Sequence, residues 1–120
     1  MTGPLLVTGG TGLLGSAIHA LRPDAVCLSQ ADGDFRDRCY TERVFNDIRP
    51  GQVLHVAALV GGLQANAVRN INFFEDNLLI NTNVLAAARR LRVPRLVAVL
   101  SSCAFSFYPD RSTTEDDLHR

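Results

Sequence analysis

A chain of 120 residues, of which 47% are hydrophobic, can bury one modest core but is too short for two. Its 12 basic and 12 acidic residues leave a formal net charge of zero, which argues against a nucleic-acid groove or an anionic membrane surface. No apolar run approaches the roughly 20 residues of a membrane span. Since no secretory signal sequence precedes the first glycines either, we expect a cytoplasmic protein.

Strand-like and helix-like segments alternate along the chain. Short apolar runs predict strands, and helical apolar periodicity with helix-ending signals predicts helices between them. The predicted strands are 5–8, 25–28, 53–57 and 96–100, and the predicted helices are 13–21, 41–48 and 71–91. Such alternation is typical of right-handed β-α-β crossovers and a parallel sheet. We therefore expect an α/β, Rossmann-type three-layer fold with strand order 3-2-1-4, followed by an irregular tail over 104–120.

The glycine-rich stretch 6–18, LVTGGTGLLGSAI, joins the first predicted strand to the first predicted helix. Gly9, Gly12 and Gly15 have the spacing in which the first glycine turns the chain, the second lies under a pyrophosphate and the third packs the helix against the sheet. The helix N-terminus adds a positive dipole end. This pattern predicts a dinucleotide site, and the alternative is a tight turn without a ligand.

The region after the second predicted strand leaves the choice between NAD and NADP open. It reads Leu28-Ser29-Gln30-Ala31-Asp32, so no carboxylate directly ends the strand to hold a ribose 2′-hydroxyl and repel a 2′-phosphate. No basic residue stands there to hold that phosphate either, unless Arg36 or Arg38 folds back.

Metal and disulfide chemistry are not predicted. Cys27, Cys39 and Cys103 are odd in number and widely spaced, and the histidines do not cluster with them. His55 lies in a predicted strand, where we expect a structural role.

Several short motifs, taken in order, resemble one known superfamily. They are T-G-G-T-G-L-L-G at 8–15, D-F-R-D at 34–37, H-V-A-A at 55–58, V-G-G at 60–62, asparagines at 77 and 83, and S-S-C at 101–103. Their order and spacing resemble the extended short-chain dehydrogenase/reductases, the NAD-dependent epimerase/dehydratase superfamily. Within it, A-A-L-V-G-G-L, the asparagine-rich helix and S-S-C are most similar to the GDP-L-fucose synthases. The resemblance covers about 5–117.

The resemblance implies a cofactor site and a substrate. The chain would be the N-terminal portion of an NAD(P)-binding Rossmann domain, with NADP as cofactor and NAD as the second candidate. The substrate in the full-length family is a nucleotide-sugar, GDP-4-keto-6-deoxymannose, which is epimerised and reduced. Separately from the resemblance, the wide apolar face of the predicted 71–91 helix indicates burial on two sides, so we also expect a homodimer through this helix. The implied phosphate loop comprises Gly9, Thr11, Gly12, Leu13, Leu14 and Gly15.

The remaining implied residues lie on three later segments. Asp34 and Phe35 match an acidic-apolar pair that lies along the adenine, while Ala57 and Ala58 would line the dinucleotide. Ser101 matches the serine that polarises the substrate carbonyl. Cys103 matches the acid/base of epimerisation, and a thiol near a bound nicotinamide and a helix dipole can have a lowered pKa.

Each implied role has a structural alternative. Ser101 can cap a strand, and Cys103 can be a small buried hydrophobe. Asp34 can be a turn residue, while Asn77 and Asn83 can face solvent.

The sequence also departs from the superfamily. It contains no lysine, and neither Tyr40 nor Tyr108 begins the Tyr-x-x-x-Lys pair that supplies the proton to the carbonyl oxygen. About three extra residues separate Cys103 from Pro109. We expect the N-terminal third of an enzyme, inactive as this fragment; the alternative is a non-catalytic dinucleotide-binding or protein-interaction module.

Overall fold

The secondary structure follows the predicted alternation. The structure is a computed structural model that describes residues 3–101, 104–105 and 110–119. The strands are β1 (Leu5–Thr8), β2 (Val26–Leu28), β3 (Gln52–His55) and β4 (Arg95–Ala98). The helices are α1 (Leu13–Leu21), α2 (Arg38–Ile48) and α3 (Leu63–Arg90). The tail is not wholly irregular, because it contains a 3₁₀ helix at Glu115–His119.

The four strands form one parallel sheet, but the predicted strand order 3-2-1-4 is wrong. The observed order is β2-β1-β3-β4, and β3 pairs with β1 rather than with β2. The crossover from β2 to β3 therefore passes β1 and carries α2 to the face that α3 covers, where the two helices pack together. Local sequence does not decide this order, because a right-handed crossover can add a strand on either side of β1.

The main core lies between the sheet and the α2–α3 layer. Leu6 of β1, Phe45 of α2 and Val84 of α3 are fully buried in one cluster. The opposite face carries α1, whose leucines are largely exposed: Leu13 and Leu21 have 96% and 81% of their surface accessible. Apolar burial on the α2–α3 side is therefore the main stabilising contribution to this fold.

Helix α2 begins earlier than its apolar periodicity predicts. The Asp37 side chain accepts hydrogen bonds from the backbone N–H groups of Cys39 and Tyr40, at 2.7 and 3.3 Å. An aspartate N-cap satisfies N–H groups that lack helical partners. The helix consequently starts at Arg38 and not at 41.

Helix α3 is longer than predicted and is interrupted at Arg69. That residue has φ −122° and ψ 25°, so two helical segments meet there. The segment after Arg69 corresponds to the predicted 71–91 helix, whose apolar periodicity continues to its end. Within the described part of the chain, no helix is sufficiently long and apolar to cross a lipid bilayer.

Strands β3 and β4 end before the predicted positions. The chain turns away from β1 at Gly9, so β3 loses its neighbour on that side after His55, and the last backbone hydrogen bond there is from Val56 N–H to the Thr8 carbonyl at 3.3 Å. The Val99 N–H likewise donates to the His55 carbonyl at 3.1 Å, just beyond β4. Residues 56–59, which follow β3, thus leave the sheet and line a cleft beside it.

Candidate functional site

A cleft of about 230 Å³ opens at the carboxyl ends of β1, β2 and β3. The crossovers from β1 and β2 run in opposite directions along the sheet, and such a switch point leaves a crevice between the outgoing loops. The residues that line the cleft are Gly9, Thr11, Gly12, Ser29, Gln30, Gly33, Asp34, Phe35, Arg36, Val56, Ala57, Ala58, Leu59 and Ile80. Three loops therefore meet around one crevice.

The glycine loop forms one wall of the cleft, and the geometry there requires glycine at Gly9 and at Gly15. Gly9 has φ +80°, and a Cβ there would lie 2.8 Å from the backbone nitrogen of Ala57. A Cβ at Gly15 would overlap the carbonyl oxygen of Gly9. These contacts let α1 and the loop after β3 approach the turn closely, as the spacing predicts.

The second glycine has a different environment. Gly12 is the N-cap of α1 with φ −70°, and no side chain caps the helix there. A Cβ at Gly12 would meet only the Gly9 carbonyl oxygen, at 3.4 Å, so the space beyond it is open to the cleft. Helix N-terminal N–H groups beside open space form a binding site for an anion such as a phosphate.

The structure brings most of the predicted cofactor residues together. Gly9, Thr11, Gly12, Asp34, Phe35, Ala57 and Ala58 line the cleft. Leu13 and Leu14, the first residues of α1, do not line it, and Gly15 is a buried residue of the same helix. Ser101 is exposed beyond the end of β4. The predicted acid/base Cys103 lies outside the described residues, as do Tyr108 and Pro109 of the extra segment.

A charged cluster formed by Arg36, Asp34 and Asp76 lies beside the cleft. Arg36 binds Asp34 through two guanidinium nitrogens, with a shortest distance of 2.7 Å, and reaches Asp76 of α3 at 3.1 Å. The hydrogen bonds from Arg36 hold the pKa of Asp34 below its ordinary value, and the two carboxylates raise the pKa of the guanidinium. Arg36 thus folds toward the cleft, whereas Arg38 pairs with Glu42 on α2.

Asparagines of α3 hold the loops that line the cleft. Asn77 accepts from the Leu59 N–H at 2.7 Å and donates to the Leu59 carbonyl at 2.8 Å. Asn83 donates to the carbonyls of Phe35 and Arg36 at 2.9 and 2.8 Å. The alternative that these two asparagines face solvent is therefore wrong. Their recurrence on one helix was the available sequence signal, but it did not identify their partners.

A third α3 asparagine joins a buried polar chain under the cleft. Thr8 Oγ1 lies 2.7 Å from His55 Nδ1, and His55 Nε2 lies 2.9 Å from Asn81 Oδ1. Burial lowers the pKa of His55, while the hydrogen bond to Asn81 opposes this shift. His55 therefore has a structural environment, as the sequence predicts, but its contacts reach the site.

A parallel sheet with a glycine loop and a cleft at its switch point defines a dinucleotide-binding α/β domain. The chain belongs to the NAD dependent epimerase/dehydratase family, whose sequence profile matches residues 5–119. This confirms the superfamily inferred from the motifs.

Individual relatives agree with that assignment. GDP-L-fucose synthase of Dictyostelium discoideum is 38% identical over 116 residues, which cover 91% of this chain and 35% of the relative. The crystal structure of a GDP-L-fucose synthetase from Naegleria fowleri bound to NADP has a TM-score of 0.85 and 35% identity, and the match covers 99% of this chain and 41% of that one. The crystal structure of a Thermus thermophilus UDP-glucose 4-epimerase complex with NAD has a TM-score of 0.81 and 27% identity, and the match covers 95% of this chain and 43% of that one. The chain thus spans about a third of the length of the curated relatives it matches.

Proposed function

We propose that this chain is the NADP-binding portion of a nucleotide-sugar epimerase/reductase that resembles GDP-L-fucose synthase, with NAD as the second candidate cofactor. The observation that carries the proposal is the open cradle at Gly12, where a helix N-terminus faces a cleft with room for a phosphate. The NADP-bound Naegleria fowleri relative supports the choice of cofactor.

The residues around the cleft fit the parts of a dinucleotide. The loop from Gly9 to Gly15 would hold the pyrophosphate, and Asp34 with Phe35 would lie along the adenosine half. Ala57 and Ala58 line the cleft on the loop after β3, and their small side chains would leave space for a flat ring system. When bound, the cofactor supplies hydride for the reduction of a ketone.

The catalytic residues are part of the same proposal. Ser101 follows β4, and its hydroxyl would donate a hydrogen bond to a substrate carbonyl oxygen and polarise the carbon. Cys103 would remove and return a proton next to that carbonyl during epimerisation. The substrate proposed for the whole enzyme is GDP-4-keto-6-deoxymannose, and the similarity to GDP-L-fucose synthases supports this choice.

A second candidate is a non-catalytic dinucleotide-binding module. It is favoured by one observation: the sequence contains neither lysine nor a Tyr-x-x-x-Lys pair. Dinucleotide binding is common to both candidates, and turnover distinguishes them.

Replacing Arg36 with glutamine tests which cofactor is preferred. Arg36 is the one cation among the described residues that line the cleft. Its removal leaves Asp34 and Asp76 without their partner, so a 2′-phosphate would meet uncompensated negative charge. We expect NADPH affinity to fall about tenfold and NADH affinity to change less than about twofold, as measured by titration calorimetry.

The matched control is Arg38→Gln, because Arg38 is a cation two residues away that pairs with Glu42 outside the cleft. It should leave both affinities unchanged. Equal losses of NADPH and NADH binding in Arg36→Gln would contradict a role in phosphate recognition. Absence of binding of either cofactor to the wild-type chain would instead contradict the proposed function.

We also propose a homodimer through α3. Ile71, Phe74, Leu78 and Leu85 follow one stripe of this helix and are between 47% and 68% exposed. Exposed apolar stripes of this kind mark association surfaces. We expect light scattering to give the mass of a dimer for the wild-type chain and of a monomer for Leu78→Glu. The same substitution at exposed Leu21 of α1 is the control and should keep the dimer, and a wild-type monomer would contradict the proposal.

A further inference from the structure

The buried polar chain under the cleft has a defined direction. Asn81 presents its oxygen to the imidazole, so His55 Nε2 carries the proton and donates it at 2.9 Å. His55 Nδ1 is then the acceptor for the Thr8 hydroxyl at 2.7 Å. The Thr8 oxygen in turn accepts from the backbone N–H of Ala57 at 3.3 Å. One sequence of hydrogen bonds therefore runs from Ala57 in the cleft wall to Asn81 on α3.

The two residues in the middle of this hydrogen-bond network are buried, and their polar atoms are hydrogen-bonded. Thr8 is 0% exposed and His55 is 4% exposed, and the two residues are register partners at the carboxyl ends of β1 and β3. No described buried side-chain nitrogen or oxygen lacks a hydrogen-bond partner. Loss of one end of such a network leaves the next donor or acceptor unsatisfied, which favours rearrangement of the whole chain of hydrogen bonds.

The hydrogen-bond network ends at Ala57, and at this residue the loop after β3 approaches the glycine loop closely. A Cβ on Gly9 would lie only 2.8 Å from the nitrogen and 2.9 Å from the Cα of Ala57. Ala57 and Gly9 both line the cleft. A shift of the Ala57 peptide therefore changes the separation of two walls that would contact a dinucleotide.

We propose that His55 and Asn81 are positioning residues for the cofactor cleft: through Thr8 they hold the Ala57 peptide at the spacing from the glycine loop that a dinucleotide requires. This inference rests on the proposed dinucleotide-binding function. It gives α3 a role in cofactor affinity although Asn81 itself does not line the cleft.

The test uses Asn81, because this residue is exposed and its replacement leaves the core intact. Asn81→Leu removes the acceptor for the imidazole N–H but keeps a side chain of similar size, whereas Asn81→Asp keeps an acceptor oxygen in the same place. NADPH affinity is measured by titration calorimetry with the 120-residue chain at pH 8, where a buried imidazole is neutral. We expect a loss of about five- to tenfold for Asn81→Leu and less than about twofold for Asn81→Asp.

Thr82→Ala, at the adjacent exposed position of α3, is the control and should bind as the wild type does. The inference is overturned if Asn81→Leu binds NADPH normally, or if Asn81→Asp is as weak as Asn81→Leu, since the proposed effect depends on the acceptor oxygen. His55→Phe, which removes both nitrogens, should show the larger loss if it folds. A wild-type chain that binds no NADPH would overturn the proposed function itself, and this inference with it.

Discussion

Replacing Gly12 with valine is expected to abolish measurable NADPH binding while the fold is retained. The branched side chain would occupy the open space at the N-terminus of α1 that the pyrophosphate needs. The backbone can accept it, because φ is −70° and a Cβ would meet only the Gly9 carbonyl oxygen at 3.4 Å. The loss should be at least about a hundredfold in the dissociation constant, or about 2.7 kcal/mol, by titration calorimetry.

Gly15→Ala is the matched control on the same loop. Its added methyl group would overlap the Gly9 carbonyl oxygen, so it should lower the thermal unfolding midpoint, whereas Gly12→Val should change it little. The two variants separate a glycine that leaves room for a ligand from one that the fold itself needs. Unchanged NADPH affinity in a folded Gly12→Val variant would show that the loop is only a turn.

The 120-residue chain is expected to show no measurable reduction of GDP-4-keto-6-deoxymannose with NADPH or NADH. In the proposed mechanism Ser101 would polarise a carbonyl and Cys103 would shuttle a proton, but hydride delivery also requires a proton donor for the developing alkoxide. Without a Tyr-x-x-x-Lys pair that donor is absent from this sequence, and a positioned acid contributes about a hundredfold to ten-thousandfold in rate. The 120 residues assayed also cover only about a third of the length of the relatives, so fewer residues orient the sugar nucleotide than in those enzymes. This weaker orientation adds several kcal/mol to the barrier, on the order of the known effects of proximity.

The measurement is cofactor oxidation followed by absorbance, with the sugar nucleotide omitted as a blank. Ser101→Ala serves as the matched variant and should be indistinguishable from the wild-type chain. Oxidation that depends on the sugar nucleotide and disappears in Ser101→Ala would contradict the prediction and identify these 120 residues as a minimal enzyme. It would also exclude the non-catalytic alternative.

Local sequence predicted the elements around the glycine loop with the greatest accuracy. The bounds of β1 and α1 agree with the predicted ranges 5–8 and 13–21. Both elements are specified by contiguous signals: a buried apolar run, glycines with fixed spacing and a helical pattern. The start of α2 was also encoded locally, by the capping side chain of Asp37, but apolar periodicity alone does not detect a cap.

The partners of the polar residues depended on the tertiary structure. Asn77 binds the main chain of Leu59, 18 residues earlier, and Asn83 binds that of Phe35, 48 residues earlier. Arg36 pairs with Asp34, two residues earlier, and also with Asp76 of α3, 40 residues later. Periodicity describes only which side of an element a residue occupies, so it cannot name a partner on another element.

The sequence by itself determined the class of fold, the family and the position of the glycine loop, since these follow from local patterns and from the order of short motifs along the chain. Only the tertiary structure decided that β3 lies beside β1, and this order makes Thr8 and His55 neighbours and sets Ala57 against Gly9. The physical reason is that right-handed crossovers are compatible with both orders. The choice between them is made by burial of α2 and α3 together on one face of the sheet, an energy that involves the whole chain.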